Sequence, residues 1–437
     1  MTPPAFTPSL YERRNGSFTV RYKDAVLRGA LLGLVMLALT YLLALGLQQL
    51  DWVTHDFPRT VLWCVLPYGV AVQWLYQGFY LPHFERMGYL LVATSVPFGL
   101  TPLGFALLQQ PYSRGALLLT YLLCCAWWIL AYRAIRRHDI LHLAYLDACI
   151  PQLLQERIGQ PRLEELPLAL HPLTDTNHTW DGVVVLPPAD PHAPRTPERT
   201  ERIRTLKQAH TRLYSVDAIA ELLTGRRMLP HPEALWEQDV RPTYDVAKRV
   251  LDIALTLITL PLWLPLCLLA ALAIKLDSPG PVLFSQVRTG LAGQSFRLWK
   301  LRSMYHSASE EDATRPAQPG DQRVTRVGRL LRRSRIDELP QLWNVLRGDM
   351  TLIGPRPEQD VFVQKFAQRI PSYPYRHLVR PGLTGWAQVQ QGYTEGEEQT
   401  AIKLSYDLYY VAHYSLALDV LIAYKTARIV LTGFGAR

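Results

Sequence analysis

The sequence is poor in cysteine and in charge. Its five cysteines lie mostly inside apolar runs and show no metal-ligand spacing, which argues against a zinc site or a disulfide framework. Zinc-finger spacing and the basic and aromatic pattern of single-strand binders are also missing, so nucleic acid is not an expected partner. Charged residues make up 19% of the 437 positions and hydrophobic residues 49%, a balance typical of a membrane protein. The net charge of +9 favours anionic lipids or anionic substrates.

Four apolar stretches in the first third of the chain are long enough to cross a bilayer. They cover residues 25–47, 60–81, 88–108 and 115–135. Each is close to the roughly 20 residues that a spanning helix needs. The polar segment 1–24 does not resemble a cleaved signal peptide, so the first stretch is predicted to remain as an anchor. The sequence therefore predicts a four-helix transmembrane bundle over residues 25–137.

Basic residues flank this bundle. They are Arg13, Arg14, Arg21, Lys23 and Arg28 around the start of the first stretch, and Arg133, Arg136 and Arg137 at the end of the fourth. By the positive-inside rule both ends of the bundle lie in the cytoplasm. Few ionisable residues lie within the spans, so an anchor or a dimerisation bundle is favoured over a transporter. The small residues Gly29, Ala30 and Gly33 would suit the contact surface of a homodimer.

Residues 138–241 have the composition of a small soluble α/β module. The pattern predicts a buried strand at 182–186, a proline-rich loop at 187–197, a helix at 198–210 and a short strand at 212–214. Ser215 is predicted to cap a further helix that ends near Gly225. Because no glycine-rich phosphate loop joins a strand to a helix, a structural or regulatory role is favoured over nucleotide binding. Residues 230–242 are predicted to be a linker.

The fifth apolar run begins the domain predicted at residues 242–437. It covers about 246–276 and contains Pro261 and Pro265, each of which removes a helix hydrogen bond. One more complete crossing would place the arginine-rich C-terminal half outside, against the positive-inside tendency. The sequence therefore favours a re-entrant helix that enters and leaves by one face, with an ordinary kinked span as the alternative.

Two adjacent carboxylates, Asp337 and Glu338, stand among arginines in this domain. An ionised Asp can attack phosphorus, a neighbouring Glu can bind a divalent metal or handle a proton, and arginines can grip phosphate oxygens. The pair could also be a helix start with favourable acids and solvated basic neighbours. The combination, in a membrane protein, favours phosphate chemistry at a membrane surface.

The C-terminal two-fifths of the chain resembles the bacterial sugar transferases, which are large monotopic phosphoglycosyl transferases of the polyprenyl-phosphate hexose-1-phosphate transferase type. Several motifs occur in the order of that family: Lys248-Arg249-Val250-Leu251-Asp252, Gln286-Val287-Arg288-Thr289-Gly290, Trp299-Lys300-Leu301-Arg302-Ser303-Met304, Asp337-Glu338, Gly354-Pro355-Arg356-Pro357, Arg380-Pro381-Gly382-Leu383-Thr384-Gly385-Trp386-Ala387-Gln388-Val389 and Tyr406-Asp407-Leu408-Tyr409-Tyr410. The implied architecture is a membrane α-helical bundle, a small α/β module and a mostly α-helical (α+β) monotopic catalytic domain with a re-entrant membrane helix.

The resemblance implies a two-step exchange on the cytoplasmic face of the bacterial inner membrane. In such enzymes the residue matching Asp337 attacks the sugar-bearing phosphorus of a UDP-sugar, UMP leaves, and undecaprenyl phosphate then accepts the phosphosugar. Glu338 matches the second carboxylate, which binds Mg²⁺ with Asp337 or positions the nucleophile. The expected phosphate-binding residues are Arg332, Arg356 and Arg380, with Lys300 and Arg302 as weaker candidates.

One position departs from the family pattern. Members often carry Ser before the proline of the membrane helix, whereas Leu264 precedes Pro265 here, which leaves the place of the break open. The competing hypothesis is a non-catalytic membrane scaffold that organises polysaccharide assembly, although a scaffold has no need for Asp337 and Glu338. The motifs hold phosphate and do not identify the sugar or say whether the product is exopolysaccharide, capsule or O-antigen.

Overall fold

The computed structural model describes residues 18–47, 55–78, 81, 85–136, 140–159, 163–173, 180–187, 196–209, 211–229, 241–305, 321–391 and 397–432. The chain divides into two units, Met1–Met228 and Leu229–Arg437. Most of the predicted N-terminal segment, residues 188–195 of the predicted loop and residues 230–240 of the predicted linker lie outside the described residues.

Apolar helices form the first part of the N-terminal unit. They are α1 (Phe18–Leu47), α2 (Asp56–Trp63), α3 (Val65–Gln77), α4 (Arg86–Leu107) and α5 (Arg114–Arg136). Within the described residues of this unit, helices at Asp24–Leu47, Arg86–Leu107 and Arg114–Ala134 are long and apolar enough to cross a membrane. They match the first, third and fourth predicted spans, as expected for a membrane protein.

The second predicted span is not one helix. Residues 56–77 form α2 and α3, which meet at Cys64, and neither helix has the length of a span by itself. Pro67 lies in the first turn of α3 and has no N–H to donate to the preceding turn. The amide of Cys64 keeps the regular helical bond to the carbonyl of Thr60 and also bonds to that of Val61, at 3.1 Å each. Within its described residues the second predicted span, at 60–81, therefore contains two consecutive helices with an interruption at Cys64.

The small residues of α1 pack inside the same chain. The indole of Trp127 donates to the carbonyl of Gly29 at 2.9 Å, and the Tyr68 hydroxyl donates to the carbonyl of Ala30 at 2.9 Å. A Cβ on Gly33 would collide with the Tyr68 hydroxyl. Gly29, Ala30 and Gly33 thus let α3 and α5 approach α1, so this stripe is not a free surface for a second copy.

An α/β module follows the apolar helices. Its elements are β1 (Leu141–Tyr145), α6 (Ile150–Ile158), β2 (Leu168–Pro172), β3 (Gly182–Val184), α7 (Pro197–Gln208), β4 (Leu213–Tyr214) and α8 (Val216–Thr224). The described strands form a parallel sheet in the order β2-β1-β3-β4. The predicted strands and helices after residue 180 are confirmed. Ser215 accepts from the amide of Ala218 at 3.1 Å, and Gly225 has a left-handed φ of 64°.

A buried ion pair occupies the carboxyl edge of β1 in this module. Asp147 follows β1, and its carboxylate accepts from Nε and Nη2 of Arg199 at 2.8 and 2.9 Å. Arg199 also donates to the carbonyl of Leu186, just after β3, at 2.7 Å. Ligands of open α/β sheets bind at this edge. Here an internal ion pair fills it.

The C-terminal unit begins with two helices, α9 (Pro242–Ile258) and α10 (Leu260–Asp277). Helix α10 is long and apolar enough to span a membrane. Asp252 of α9 is buried and accepts from the hydroxyl of Thr351 and, at 3.3 Å, from the amide of Leu352. The apolar run is therefore fastened to the rest of the unit through α9.

The break in the apolar run lies at Thr259, ahead of both prolines. Pro261 stands in the first turn of α10, where a missing N–H costs little, and Pro265 lies within the helix without ending it. The Thr259 hydroxyl donates to the carbonyl of Leu255 at 2.7 Å, and the Trp263 indole donates to that of Thr256 at 3.1 Å. Pro261 and Pro265, the expected positions of the break, follow it directly, and Pro261 leaves the carbonyl of Leu257 in the last turn of α9 without its usual helical donor.

The remaining elements surround a small hairpin. They are β5 (Leu283–Thr289), β6 (Ser295–Leu301), α11 (Arg326–Arg333), α12 (Gln341–Arg347), β7 (Thr351–Ile353), α13 (Asp360–Arg369), β8 (Gly382–Thr384), α14 (Trp386–Gln390), α15 (Glu397–His413) and α16 (Leu416–Thr432). Strands β5 and β6 are antiparallel, whereas β7 and β8 are parallel. Short 3-10 segments at Ile336–Glu338 and Tyr373–Leu378 connect these elements. The unit is mostly helical with small sheets, as predicted.

Candidate active site

The paired carboxylates Asp337 and Glu338 lie on the 3-10 turn between α11 and α12. The chain enters this turn through Arg335, whose φ of 60° and ψ of 15° lie in the left-handed region. This conformation is unfavourable for a residue with a Cβ and is concentrated at functional sites. It turns the chain after α11, and both carboxylates become buried, with exposed fractions of 8% and 9%.

A buried asparagine fixes α12 against strand β6, which supplies Lys300. The side chain of Asn344 accepts from the amide of Trp299 at 3.2 Å and donates to the carbonyl of Arg297 at 2.8 Å. This contact anchors the C-terminal side of the carboxylate turn to β6. As a result, Nζ of Lys300 lies 3.2 Å from Oε1 of Glu338.

Two glycines bring Arg356 to the same carboxylate. Gly354 donates to the carbonyl of Thr384 at 2.8 Å, and Gly382 donates to that of Pro355 at 2.9 Å. The two backbones approach so closely that a Cβ on Gly382 would collide with the amide nitrogen of Gly354, and a Cβ on Gly354 would collide with the carbonyl of Arg380. This contact positions the loop after β7, and Nη2 of Arg356 donates to Oε1 of Glu338 at 2.8 Å.

Glu338 is held in its ionised form by cations. Besides Lys300 and Arg356, Nη1 of Arg335 lies 3.7 Å from its Oε2. Burial alone would raise the pKa of Glu338, but Arg356, Lys300 and Arg335 outweigh burial and hold that pKa well below its usual range. Glu338 therefore acts as a fixed negative charge that gathers three basic side chains.

Asp337 has the opposite environment. Its Oδ1 is buried and accepts no hydrogen bond from any residue that the structure describes. Burial, together with the charge of Glu338, raises the pKa of Asp337 to about 6, although Lys300, Arg332 and Arg335 act against this rise. A poorly solvated carboxylate with one uncommitted oxygen is a strong candidate for a nucleophile or a ligand.

Comparison with known proteins identifies the family of this chain. A family model described as bacterial sugar transferase matches residues 243–433. The UDP-N-acetylgalactosamine-undecaprenyl-phosphate N-acetylgalactosaminephosphotransferase of Aeromonas hydrophila is 41% identical over 381 residues, which are 84% of this chain and 87% of that protein. The chain belongs to the bacterial sugar transferase family. It is of the polyprenyl-phosphate hexose-1-phosphate transferase type, as predicted from the motifs.

Two further relatives match shorter stretches of this chain. The UDP-glucose:undecaprenyl-phosphate glucose-1-phosphate transferase of Caulobacter vibrioides is 49% identical over 194 residues, or 44% of this chain and 72% of that protein. The protein of that name from Escherichia coli is 40% identical over 230 residues, or 50% of this chain and 49% of that protein. The similarity to the Aeromonas protein therefore covers a larger share of this sugar transferase than the similarity to these two.

The predicted phosphate-binding residues of this sugar transferase have different surroundings. Lys300 and Arg356 lie beside Glu338, and Arg332 donates through Nε to the Ser303 hydroxyl at 2.8 Å while it acts electrostatically on Asp337. Arg380 is exposed on the loop before β8. The first three form a cationic rim around the two carboxylates.

Arg302 has a structural position instead. Its guanidinium donates to the carbonyls of Pro279 and Ser278 at 2.7 and 2.6 Å, and it is 6% exposed. These carbonyls follow the end of α10, so Arg302 fixes the C-terminal end of the membrane helix to strand β6. The prediction that Arg302 contacts phosphate does not fit this geometry.

The donor set of the sugar transferase fits Mg²⁺ only in part. Among the described residues there is no group of three or more His, Cys, Asp or Glu side chains that could hold a metal. Mg²⁺ in phosphate chemistry is often bound by one or two carboxylates together with substrate phosphates and water. The unpartnered Oδ1 of Asp337 fits such a role, whereas Glu338 is engaged by Lys300 and Arg356.

Several residues around the site were not predicted from the sequence. Arg335 is next to the carboxylates, and its left-handed backbone has no signature in the sequence. Arg376 and Lys403 belong to a second buried ion-pair group, which extends to Asp407 and Glu358. Asp407 and Glu358 are inside or next to quoted motifs, and this is the sequence signal that could have identified them.

Proposed function

We propose that the protein transfers a sugar 1-phosphate from a UDP-sugar to undecaprenyl phosphate and releases UMP. The observation that carries this proposal is the contrast between the two carboxylates, because one is saturated by cations and its neighbour keeps a buried, unpartnered oxygen. The relatives supply the substrate classes, since those proteins are named for action on undecaprenyl phosphate with UDP-N-acetylgalactosamine or UDP-glucose. UDP-N-acetylgalactosamine is the first donor to test, because the Aeromonas relative matches most of this chain.

In the first step, Oδ1 of Asp337 attacks the sugar-bearing phosphorus of the donor. A bond forms between this oxygen and phosphorus, and the bond from phosphorus to the bridging oxygen breaks. UMP leaves with the bonding electrons, and a phosphosugar remains as an acyl phosphate on Asp337. Arg332, Arg356 and Lys300 offset the repulsion between the carboxylate and the phosphates.

In the second step, a phosphate oxygen of undecaprenyl phosphate attacks the same phosphorus. The bond between phosphorus and Asp337 breaks, which restores the carboxylate and gives undecaprenyl diphosphosugar. Glu338 takes no part in bond making. It keeps Lys300, Arg335 and Arg356 close to the position of the phosphates.

Mg²⁺ is proposed as a cofactor that binds with the donor. Oδ1 of Asp337 would be its protein ligand before the attack, and the ion would neutralise charge on the diphosphate. Substrate phosphates and water would complete the ligand set, because Glu338 is already paired.

The proposed location is the inner membrane, with the catalytic unit in the cytoplasm. The supporting observations are the apolar helices, the basic flanks and the break at Thr259 between α9 and α10. A re-entrant α9–α10 pair keeps the site where UDP-sugars are made and lets the lipid acceptor arrive laterally. Initiation of exopolysaccharide, capsule or O-antigen synthesis is the proposed role.

A UMP-release assay tests this function. Full-length protein in detergent is incubated with Mg²⁺, undecaprenyl phosphate and each of a panel of UDP-sugars that begins with UDP-N-acetylgalactosamine and UDP-glucose. The expected result is release of UMP with at least one sugar, which requires the lipid and is lost in Asp337→Asn. Asp217→Asn, an exposed carboxamide substitution in helix α8, is the matched control and should keep full activity. Full turnover by Asp337→Asn would contradict the mechanism.

A further inference from the structure

Helix α15 holds the loop that carries Arg356 through two charged side chains. Lys403 and Asp407 stand four residues apart and therefore lie on one face of the helix. Nζ of Lys403 donates to Oε1 of Glu358 at 2.5 Å. Oδ2 of Asp407 accepts from Nη2 of Arg376 at 2.7 Å.

Arg376 connects Asp407 to the backbone of Arg356. Its side chain is 2% exposed, and Nη2 also donates to the carbonyl oxygen of Arg356 at 2.9 Å. Nη1 donates to the Tyr373 hydroxyl at 2.9 Å, and the guanidinium carbon lies 5.2 Å from the centre of the Tyr373 ring. A buried guanidinium held at several points is a rigid connection.

Strand β5 holds the same loop on its other side. Nη1 of Arg288 donates to the carbonyl of Pro357 at 3.3 Å, and the Thr289 amide donates to that of Glu358 at 3.0 Å. Residues 356–358 are thus fixed between β5 and α15, while the guanidinium of Arg356 extends to Glu338.

We propose that Lys403 and Asp407 are positioning residues, which act through Glu358 and Arg376 to hold Arg356 against Glu338 beside the nucleophile. This inference rests on the proposed function, in which Asp337 attacks phosphorus. Neither α15 residue contacts the carboxylate pair in this arrangement, because each acts on the loop. Helix α15 thereby sets the position of the cation that offsets charge during phosphoryl transfer.

A kinetic double-mutant cycle tests the proposal. Asp407→Asn and Arg356→Met are expected to lower kcat for UMP release by similar factors of about 100, because a 1 Å displacement near the reaction is enough for such a loss. If Asp407 acts through Arg356, the double variant has the same kcat as Arg356→Met alone. If kcat of the double variant falls by the product of the two single factors, the proposal is overturned. That result is expected when Asp407→Asn only reduces the amount of folded protein, because such a loss acts independently of Arg356.

Lys248→Met is the matched control. Lys248 pairs with the buried Asp419 in the same unit, with side chains 14% and 8% exposed. The factor by which Lys248→Met lowers kcat should multiply with the factor for Arg356→Met when the two substitutions are combined. If Asp407→Asn does not fold, Lys403→Met replaces it, because Lys403 is 29% exposed and its loss is milder. Lys403→Arg should then restore kcat.

A second cycle does not depend on activity. The thermal unfolding midpoints of Asp407→Asn, Glu338→Gln and the double variant are compared. Coupling is expected, which means that the midpoint shift of the double variant differs from the sum of the two single shifts. Additive effects would overturn the positioning proposal even if wild-type protein releases no UMP. Coupled effects with an inactive wild type would support the positioning role and contradict the proposed reaction or its donor panel, so the two failures are distinguishable.

Discussion

The two neighbouring carboxylates differ because their partners differ. Glu338 is surrounded by Lys300, Arg335 and Arg356, and their charges more than offset its burial. Asp337 is buried with an unpartnered oxygen beside the charge of Glu338. Ionised Glu338 therefore stabilises the folded state, whereas ionised Asp337 destabilises it.

This contrast predicts opposite stability effects at pH 7.5. The folded-state pKa of Asp337, about 6, exceeds its ordinary value of 3.8. Protonated Asp337 therefore favours the folded state, and this contribution to stability is lost as the pH rises from about 4 to 6. Above that window the ionised group costs on the order of 3 kcal/mol. Asp337→Asn should raise the unfolding midpoint in detergent. Glu338→Gln should lower stability by roughly 3 kcal/mol, because buried cations lose their partner. Lower stability in Asp337→Asn would contradict this account.

The same pKa predicts an acid limit on turnover. Only the ionised Asp337 can attack phosphorus, so the rate of UMP release should fall as pH decreases through about 6. The measurement is the pH profile of kcat/KM between pH 5 and 8, which reports the free enzyme, with the folded fraction checked at each pH by tryptophan fluorescence. A kcat/KM that stays constant down to pH 5 would show that the nucleophile titrates lower.

For individual residues, the sequence identified the two carboxylates but did not predict the partners of every arginine. Asp337 and Glu338 stand out because two acids are adjacent in a basic, motif-bearing segment. The role of Arg302 could not be predicted, because its acceptors are carbonyls more than 20 residues earlier. Backbone acceptors carry no residue-type signal, so a basic residue in a motif can be mistaken for a phosphate ligand.

Among the elements, the apolar helices show that hydropathy predicts where an apolar segment lies but not where its helix is interrupted. The run that forms α9 and α10 was recognised from its composition and its prolines. The break lies at Thr259, two residues ahead of Pro261. The interruption at Cys64 was missed because apolar residues continue through it. Each interruption comes shortly before a proline, Pro261 or Pro67, which removes a helical donor that hydropathy does not measure.

Helix α1 offers a test of bundle packing with two glycines. A Cβ on Gly33 would collide with Tyr68 and Trp127, whereas nothing lies within 4 Å of a Cβ on Gly46. Gly33→Ala should therefore destabilise the bundle by about 1–3 kcal/mol, as overpacking does. Gly46→Ala, the matched control, should be neutral or stabilising by up to about 1 kcal/mol. Unfolding midpoints in detergent measure the difference, and equal effects would contradict the packing of α1 against α3 and α5.

For the whole molecule, the proposed function requires the catalytic unit to lie on the cytoplasmic side of the membrane. With α9 and α10 as a re-entrant pair, a fluorescent protein fused after residue 437 should fluoresce, and alkaline phosphatase fused there should be inactive. A phosphatase fusion after residue 50, beyond α1, is the matched control and should be active. Phosphatase activity at the C-terminus would show that the pair crosses the membrane completely.

The apolar bundle and the α/β module were predicted from hydropathy and composition, whereas the mostly helical character of the C-terminal part was implied by the family resemblance. The strand order β2-β1-β3-β4 was not predicted, because the pairing of parallel strands depends on contacts between segments that are distant in the sequence. Family membership followed from motifs in a fixed order, which depends on short segments and not on the long-range contacts that bring them together.

The central claim is that Asp337 carries the phosphosugar during turnover, and mass spectrometry of the protein tests it most directly. Full-length enzyme with Mg²⁺ and the active UDP-sugar, but no undecaprenyl phosphate, should gain the mass of one sugar phosphate on the peptide that contains Asp337. The added mass should disappear when the lipid acceptor is supplied, and Asp337→Asn should never acquire it. Rapid UMP release with both substrates but no adduct at any time would contradict the covalent mechanism and favour direct transfer.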